Sequence, residues 1–119
     1  MQYSLMFYQT PELFAARTDP ARRAANQAAF GGFVGALQKA GVLVTTLGIE
    51  PPESGATVRA GGGTPRVETG PYADMKEQLG GLCVIETASL DAALDWARRA
   101  PFEHCGVVEV RPTRVVPAA

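Results

Sequence analysis

Eight polar side chains carry most of the chemistry this sequence could offer: Tyr8, Thr69, Tyr72, Lys76, Glu77, Glu86, Glu109 and Arg111. Lys76 and Glu77 lie between two backbone breaks, Gly70-Pro71 and Gly80-Gly81. A loop framed in this way can carry binding groups on a rigid scaffold. The two charges would then form a lid over a cleft, with Thr69 and Tyr72 supplying hydroxyls. The alternative is a segment that only holds a tight turn. Glu86, Glu109 and Arg111 stand in apolar, strand-like runs. Two carboxylates near a guanidinium can bind or polarise a ligand; they can equally tie two subunits by a salt bridge. His104 is the only histidine. An imidazole titrates near neutral pH and suits general-base work, but this one stands alone and reads as a surface-loop residue. Gly61-Gly62-Gly63 lacks the lysine and hydroxyl residue of a phosphate loop and reads as a turn. No His, Cys or carboxylate cluster has metal-ligand spacing, so neither a metal nor another cofactor is expected.

These residues need elements to position them. Residues 2–8 alternate, with Tyr3, Leu5 and Phe7 on one face and Ser4, Met6 and Tyr8 on the other, as in a strand that Gln9-Thr10-Pro11 ends. Asp19-Pro20 predicts the start of a helix. Phe30, Phe33, Val34 and Leu37 form its apolar stripe, and Gly41 ends it, for a length of about 20 residues. Residues 42–49 are rich in strand formers. Thr57-Val58-Arg59 and Arg66-Val67-Glu68 predict a hairpin around the three glycines. A loop follows from Tyr72 to Leu79, then a strand from Leu82 to Thr87. Ser89 caps a second helix with Leu90, Ala93, Leu94 and Ala97 inward, ending at Pro101. The last strand runs from Gly106 to Arg111 and stops at Pro112.

Strand, helix, strand, hairpin, strand, helix, strand predicts an α+β domain with a ferredoxin-like split βαβ sheet and both helices on one face. Alternation then leaves the opposite face to Met6, Tyr8, Leu82, Val84, Glu86, Val107, Glu109 and Arg111. An apolar face of this kind seldom stays bare in a soluble monomer, and a symmetric second copy is the commonest cover. A homodimer is therefore expected. Two facing sheets can leave an apolar cleft with a few polar groups, the general form of a small-molecule site.

The bulk properties agree. A chain of 119 residues, 46% hydrophobic and 19% charged, predicts one globular domain. Eleven basic and twelve acidic residues nearly cancel. Direct nucleic-acid binding is not expected without a positive field. No signal peptide or membrane span is read from the sequence, and a cytoplasmic location is expected. Cys83 and Cys105 match no CxxC pattern and are expected as free thiols.

The stretch Thr69-Gly70-Pro71-Tyr72-Ala73-Asp74-Met75-Lys76-Glu77-Gln78-Leu79-Gly80-Gly81 resembles the signature of the YCII-related proteins, in the branch often called DGPF. Gly48-Ile49 before Pro51-Pro52, Thr57-Val58-Arg59, Leu90-Asp91 with Ala93-Leu94-Asp95-Trp96-Ala97, and Val108-Glu109-Val110-Arg111-Pro112 extend the likeness over nearly the whole chain. The resemblance implies a single domain over residues 1–119 that builds a dimeric α+β barrel from ferredoxin-like halves. Some wider relatives are thought to use a His-Asp pair as acid and base, and one is a dehydrochlorinase acting on an aromatic ring. Members of this branch also accompany extracytoplasmic-function sigma factors. The motif departs in two places, with Thr69 where it usually has aspartate and Tyr72 where it has phenylalanine; in addition, the first half of the chain holds no histidine. The dyad chemistry therefore does not carry over.

Two readings follow. One is a dimeric barrel that binds a small organic molecule, with a lyase- or dehydrochlorinase-like ancestry and a drifted site. The other is a non-catalytic regulatory module whose partner is a sigma factor.

Overall fold

The structure, a computed structural model, describes residues 1–118. Strand β1 (Gln2–Gln9) alternates strictly between half-buried and buried positions. Tyr3, Leu5, Phe7 and Gln9 point into the core. A five-residue helix, α1 (Pro11–Ala15), follows at once. Thr10 caps it by accepting a hydrogen bond from the Leu13 amide, and Pro11 opens its first turn. This helix was not expected: Thr10-Pro11 ends the strand by starting a helix.

Helix α2 (Arg23–Lys39) begins later than Asp19-Pro20 predicts. The Asp19 carboxylate does accept from the Ala21 amide, but it holds a turn ahead of the helix. Phe33 and Leu37 are buried, with Phe30 and Val34 beside them, so the apolar stripe is as expected. Strand β2 (Leu43–Gly48) leads to a separate hairpin, β3 (Ala56–Arg59) and β4 (Arg66–Thr69).

Strand β5 starts at Gln78 rather than Leu82 and ends at Glu86, so Gly80 and Gly81 lie inside it. Helix α3 (Leu90–Ala97) is capped by the Ser89 hydroxyl, which accepts from the Ala92 amide. Ala93 and Ala97 are buried, whereas Leu90 is exposed rather than inward. Strand β6 (Val107–Thr113) passes through Pro112 instead of stopping there. It lies at the sheet edge, where a residue without an N–H leaves no ladder bond broken.

Among the described residues the main sheet has the order β2-β5-β1-β6, every neighbouring pair antiparallel. This is the ferredoxin-like split βαβ arrangement. Helices α2 and α3 cover the same face, where Leu5, Leu37, Cys83, Ile85 and Ala93 form the centre of the core. Each fully buried Leu or Ile there contributes about 1.5–3 kcal/mol. Both cysteines are buried and free. No helix among the described residues is long and apolar enough to cross a membrane.

The opposite face carries the side chains that alternation assigned to it. Val84 lies across from Ser4, Leu82 from Met6, Glu109 from Met6 and Arg111 from Ser4. Leu47, paired with Leu82, extends this apolar surface onto β2.

Candidate functional site

The signature glycines shape a cavity on the helix-covered side. The β1–β5 register shifts between Phe7 and Tyr8, which pair with Gly81 and Leu79, so Gly80 is the extra residue of a bulge. Its carbonyl accepts from the Ile49 amide at 2.9 Å and from Arg17 Nη2 at 2.5 Å. A Cβ at Gly80 would lie 2.2 Å from Gln9 Oε1 and 2.7 Å from Arg17 Nη2. One at Gly81 would lie 2.9 Å from the Leu47 carbonyl oxygen. Glycine thus lets the Arg17 side chain on one side, and strand β2 on the other, approach the β5 backbone.

Arg17 follows α1 directly, and its guanidinium lies 4.7 Å from the centre of the Phe14 ring. Nη1 donates to the Ile49 carbonyl at 2.6 Å, and Nη2 donates to Gln9 Oε1 as well as to Gly80. Gln9 is only 1% exposed and anchors its own amide by donating from Nε2 to the His104 carbonyl at 2.7 Å. All the acceptors around Arg17 are neutral. Among the described residues no carboxylate reaches ion-pair distance of it. Burial lowers its pKa from the usual arginine value, partly offset by the more distant charge of Glu50.

Arg17 and Gln9 line a cavity of about 370 Å³ between α2 and the sheet. Phe7, Phe30, Phe33 and Val34 supply apolar wall. Phe7 meets Phe30 and Phe33 edge to face, with ring centres 5.8 and 6.0 Å apart. Asn26, in the first turns of α2, also lines it. It is 6% exposed, and its Nδ2 has no hydrogen-bond partner among the described residues. A buried amide left unsatisfied costs on the order of 1–3 kcal/mol, so Asn26 is a polar group waiting for an acceptor. Cys83 is the other titratable wall residue, and burial raises its thiol pKa.

Arg17 also borders a second, wider cavity of about 800 Å³. Thr69, Asp74 and Lys76 of the signature segment line it together with Glu50 and Glu53. Arg17 is therefore shared between the two spaces.

The eight residues singled out from sequence are dispersed. Tyr8, Glu109 and Arg111 meet on the open sheet face. Tyr8 donates to Glu109 Oε1 at 2.9 Å, and Arg111 Nε donates to Oε2 at 2.8 Å. The Arg111 bond, then the Tyr8 bond, hold the Glu109 carboxyl below the usual glutamate range, while the Glu109 bond pushes the Tyr8 hydroxyl up. The carboxylate form is the one the folded state favours. Its stabilisation is present above the unfolded pKa of about 4.3 and lost as pH falls through the lowered folded value. Glu109 should therefore titrate below the ordinary glutamate range by carbon-detected NMR, and Arg111→Ala should move it upward; an unmoved titration would show that the ion pair does not form in solution.

Glu86 shares that face but pairs with the N-terminal amine of Met1 at 2.7 Å. Thr69 and Lys76 line the wider cavity. Tyr72 is 72% exposed, with Arg59 stacked 5.0 Å from its ring centre. Glu77 turns under the loop toward Gly106, its Oε2 buried and without a partner. None of the eight borders the smaller cavity. His104 lies in the turn before β6, as expected, and is half-buried there, its ring 6.4 Å from that of Phe30.

Sequence reasoning missed Gln9, Arg17 and Asn26. The signal for Gln9 was available: it continues the inward parity of Tyr3, Leu5 and Phe7. A glutamine on the core face of a strand needs partners, and Arg17 is one of them.

The fold and cavity define a ferredoxin-like α+β domain with a largely apolar cavity bordered by a guanidinium. A family model for the YCII-related domain matches residues 1–116, and the chain belongs to that family. An uncharacterized protein of Rhizobium meliloti (strain 1021) is 42% identical over 76 residues, which are 62% of this chain and 61% of that protein. The chain thus spans about three fifths of the length of this curated relative. Among solved structures, 5-chloro-2-hydroxyhydroquinone dehydrochlorinase (TftG) from Burkholderia phenoliruptrix AC1100, in complex with 2,5-dihydroxybenzoquinone, is similar with a TM-score of 0.52. The two share 20% sequence identity, and the match covers 96% of this chain and 94% of that one. A likeness at this identity concerns the fold.

Proposed function

We propose that this protein binds a small organic molecule in the chamber between α2 and the sheet, and does so as a homodimer paired through its open sheet face. The observation that carries the reading is the chamber itself. Its volume of about 370 Å³ suits a small ligand. Its walls are largely aromatic and aliphatic, and Asn26 Nδ2 is buried there without a partner. The fold likeness to a ligand-bound dehydrochlorinase fits a small-molecule role.

Binding, rather than proton transfer, is what the side chains support. Arg17 stays protonated at any physiological pH. Cys83 is held toward its thiol form by burial and faces the Thr46 hydroxyl at 3.3 Å. Neither is a general base poised near neutral pH. The sigma-factor reading rests on the family resemblance alone, whereas the chamber supports a ligand directly.

A thermal-shift screen of small aromatic and aliphatic acids, amides, amines and alcohols tests this. A ligand that binds only the folded chain at a hundred times its Kd adds about 2.7 kcal/mol of stability. The melting temperature should rise by several degrees for at least one chemical class. A flat response across all four classes would remove the small-molecule reading.

A further inference from the structure

We infer that the chamber selects a carboxylate carried on a flat apolar body, with the carboxylate held at Arg17 and Asn26; this rests on the small-molecule reading above. The first support is the unfinished coordination of Arg17. A guanidinium has five N–H donors. Three bonds are made, one from Nη1 and two from Nη2. Among the described residues, Nε–H and the second hydrogen of Nη1 have no acceptor.

The second support is charge. A half-buried cation with only neutral partners is electrostatically incomplete, and an anion gains more there than in water. The third is Asn26, whose buried Nδ2 is a further donor on the wall of the same chamber. Donors from two elements, the turn after α1 and the start of α2, therefore border one space. The remaining wall is apolar, and the edge-to-face rings of Phe7, Phe30 and Phe33 favour a planar body over a branched one. A carboxylate also matches the planar guanidinium fork in shape.

Glu50 works against this site. It borders the wider cavity with Arg17 and acts on it through space. Its charge weakens the field that an entering anion meets.

Isothermal calorimetry on the full chain, with 2-naphthoate and 2-naphthamide as probes, separates the possibilities. Naphthoate should bind at least tenfold more tightly than the amide. Asn26→Leu and Arg17→Met should each weaken naphthoate tenfold or more, and Arg17→Met, which removes the charge, should weaken naphthamide less than naphthoate. Glu50→Gln should strengthen naphthoate alone. Val34→Trp, which fills the chamber, should abolish both. Arg17→Met could lose the fold along with its anchors, in which case the acid–amide contrast and Asn26→Leu still decide. Equal binding of acid and amide, both blocked by Val34→Trp, would overturn the carboxylate inference and leave the chamber as a ligand site. Binding that survives Val34→Trp, or no binding of either probe, would overturn this inference; a flat thermal-shift screen is the separate result that removes the reading beneath it.

Discussion

Gly80→Ala should destabilise the protein by about 1–3 kcal/mol and weaken naphthoate binding in the chamber tenfold or more. The added methyl would overlap Gln9 Oε1 and Arg17 Nη2. Flexible side-chain ends usually move aside at small cost, but these are anchored. Gln9 is 1% exposed and tied to the His104 carbonyl, and Arg17 is tied to the Ile49 carbonyl. Displacing them leaves buried donors and acceptors unpaired, so the cost falls on the network as well as on packing. Urea unfolding and the naphthoate titration measure the two effects. Wild-type stability with unchanged affinity would mean that the Arg17 network is not the one described here.

Val84→Glu should convert the protein from twice its 12.5 kDa chain mass to a single-chain species, or drive it to aggregate. Val84 sits mid-strand on the open face, between Ser4 of β1 and Thr45 of β2. Met6, Leu47 and Leu82 lie beside it as an apolar surface, which Val107 extends farther along the face, across from Tyr8. In a twofold interface each substitution appears twice, and an unpaired carboxylate buried there costs several kcal/mol. Light scattering at micromolar concentration reads the outcome directly. A wild-type chain that already runs as a stable monomer, or a Val84→Glu chain that keeps the dimer mass, would sink the pairing proposal.

The sheet was legible because alternation is strict where it matters. Tyr3, Leu5 and Phe7 on β1, with Cys83 and Ile85 on β5, are inward as their parity requires. The α2 stripe and the Ser89 cap could be read from local rules for the same reason. The chamber could not. It depends on Arg17, which lies in a turn after a five-residue helix that periodicity cannot detect. It also depends on a bulge at Gly80, where the one-residue shift sits inside what reads as a break between loop and strand. The charged residues with the most visible spacing lie elsewhere. Of these, Tyr8, Glu109 and Arg111 do form a cluster, but Glu86 is drawn to the amino terminus and Glu77 under its loop. Strand parity assigns a face; it does not assign which charges on that face will meet.

The β3–β4 hairpin forms a ladder closed on itself, apart from the main sheet, with Val58 and Val67 paired across it. Its turn holds Gly62 and Gly63 at positive φ. Because no strand of the central sheet takes its register from this ladder, a change in turn length alters loop-closure entropy and little else. Doubling a flexible loop adds only about 0.6 kcal/mol. Relatives of this chain can therefore differ in length between Arg59 and Arg66 while keeping the chamber intact, so an alignment that charges a heavy gap penalty there would misjudge how close two such chains are.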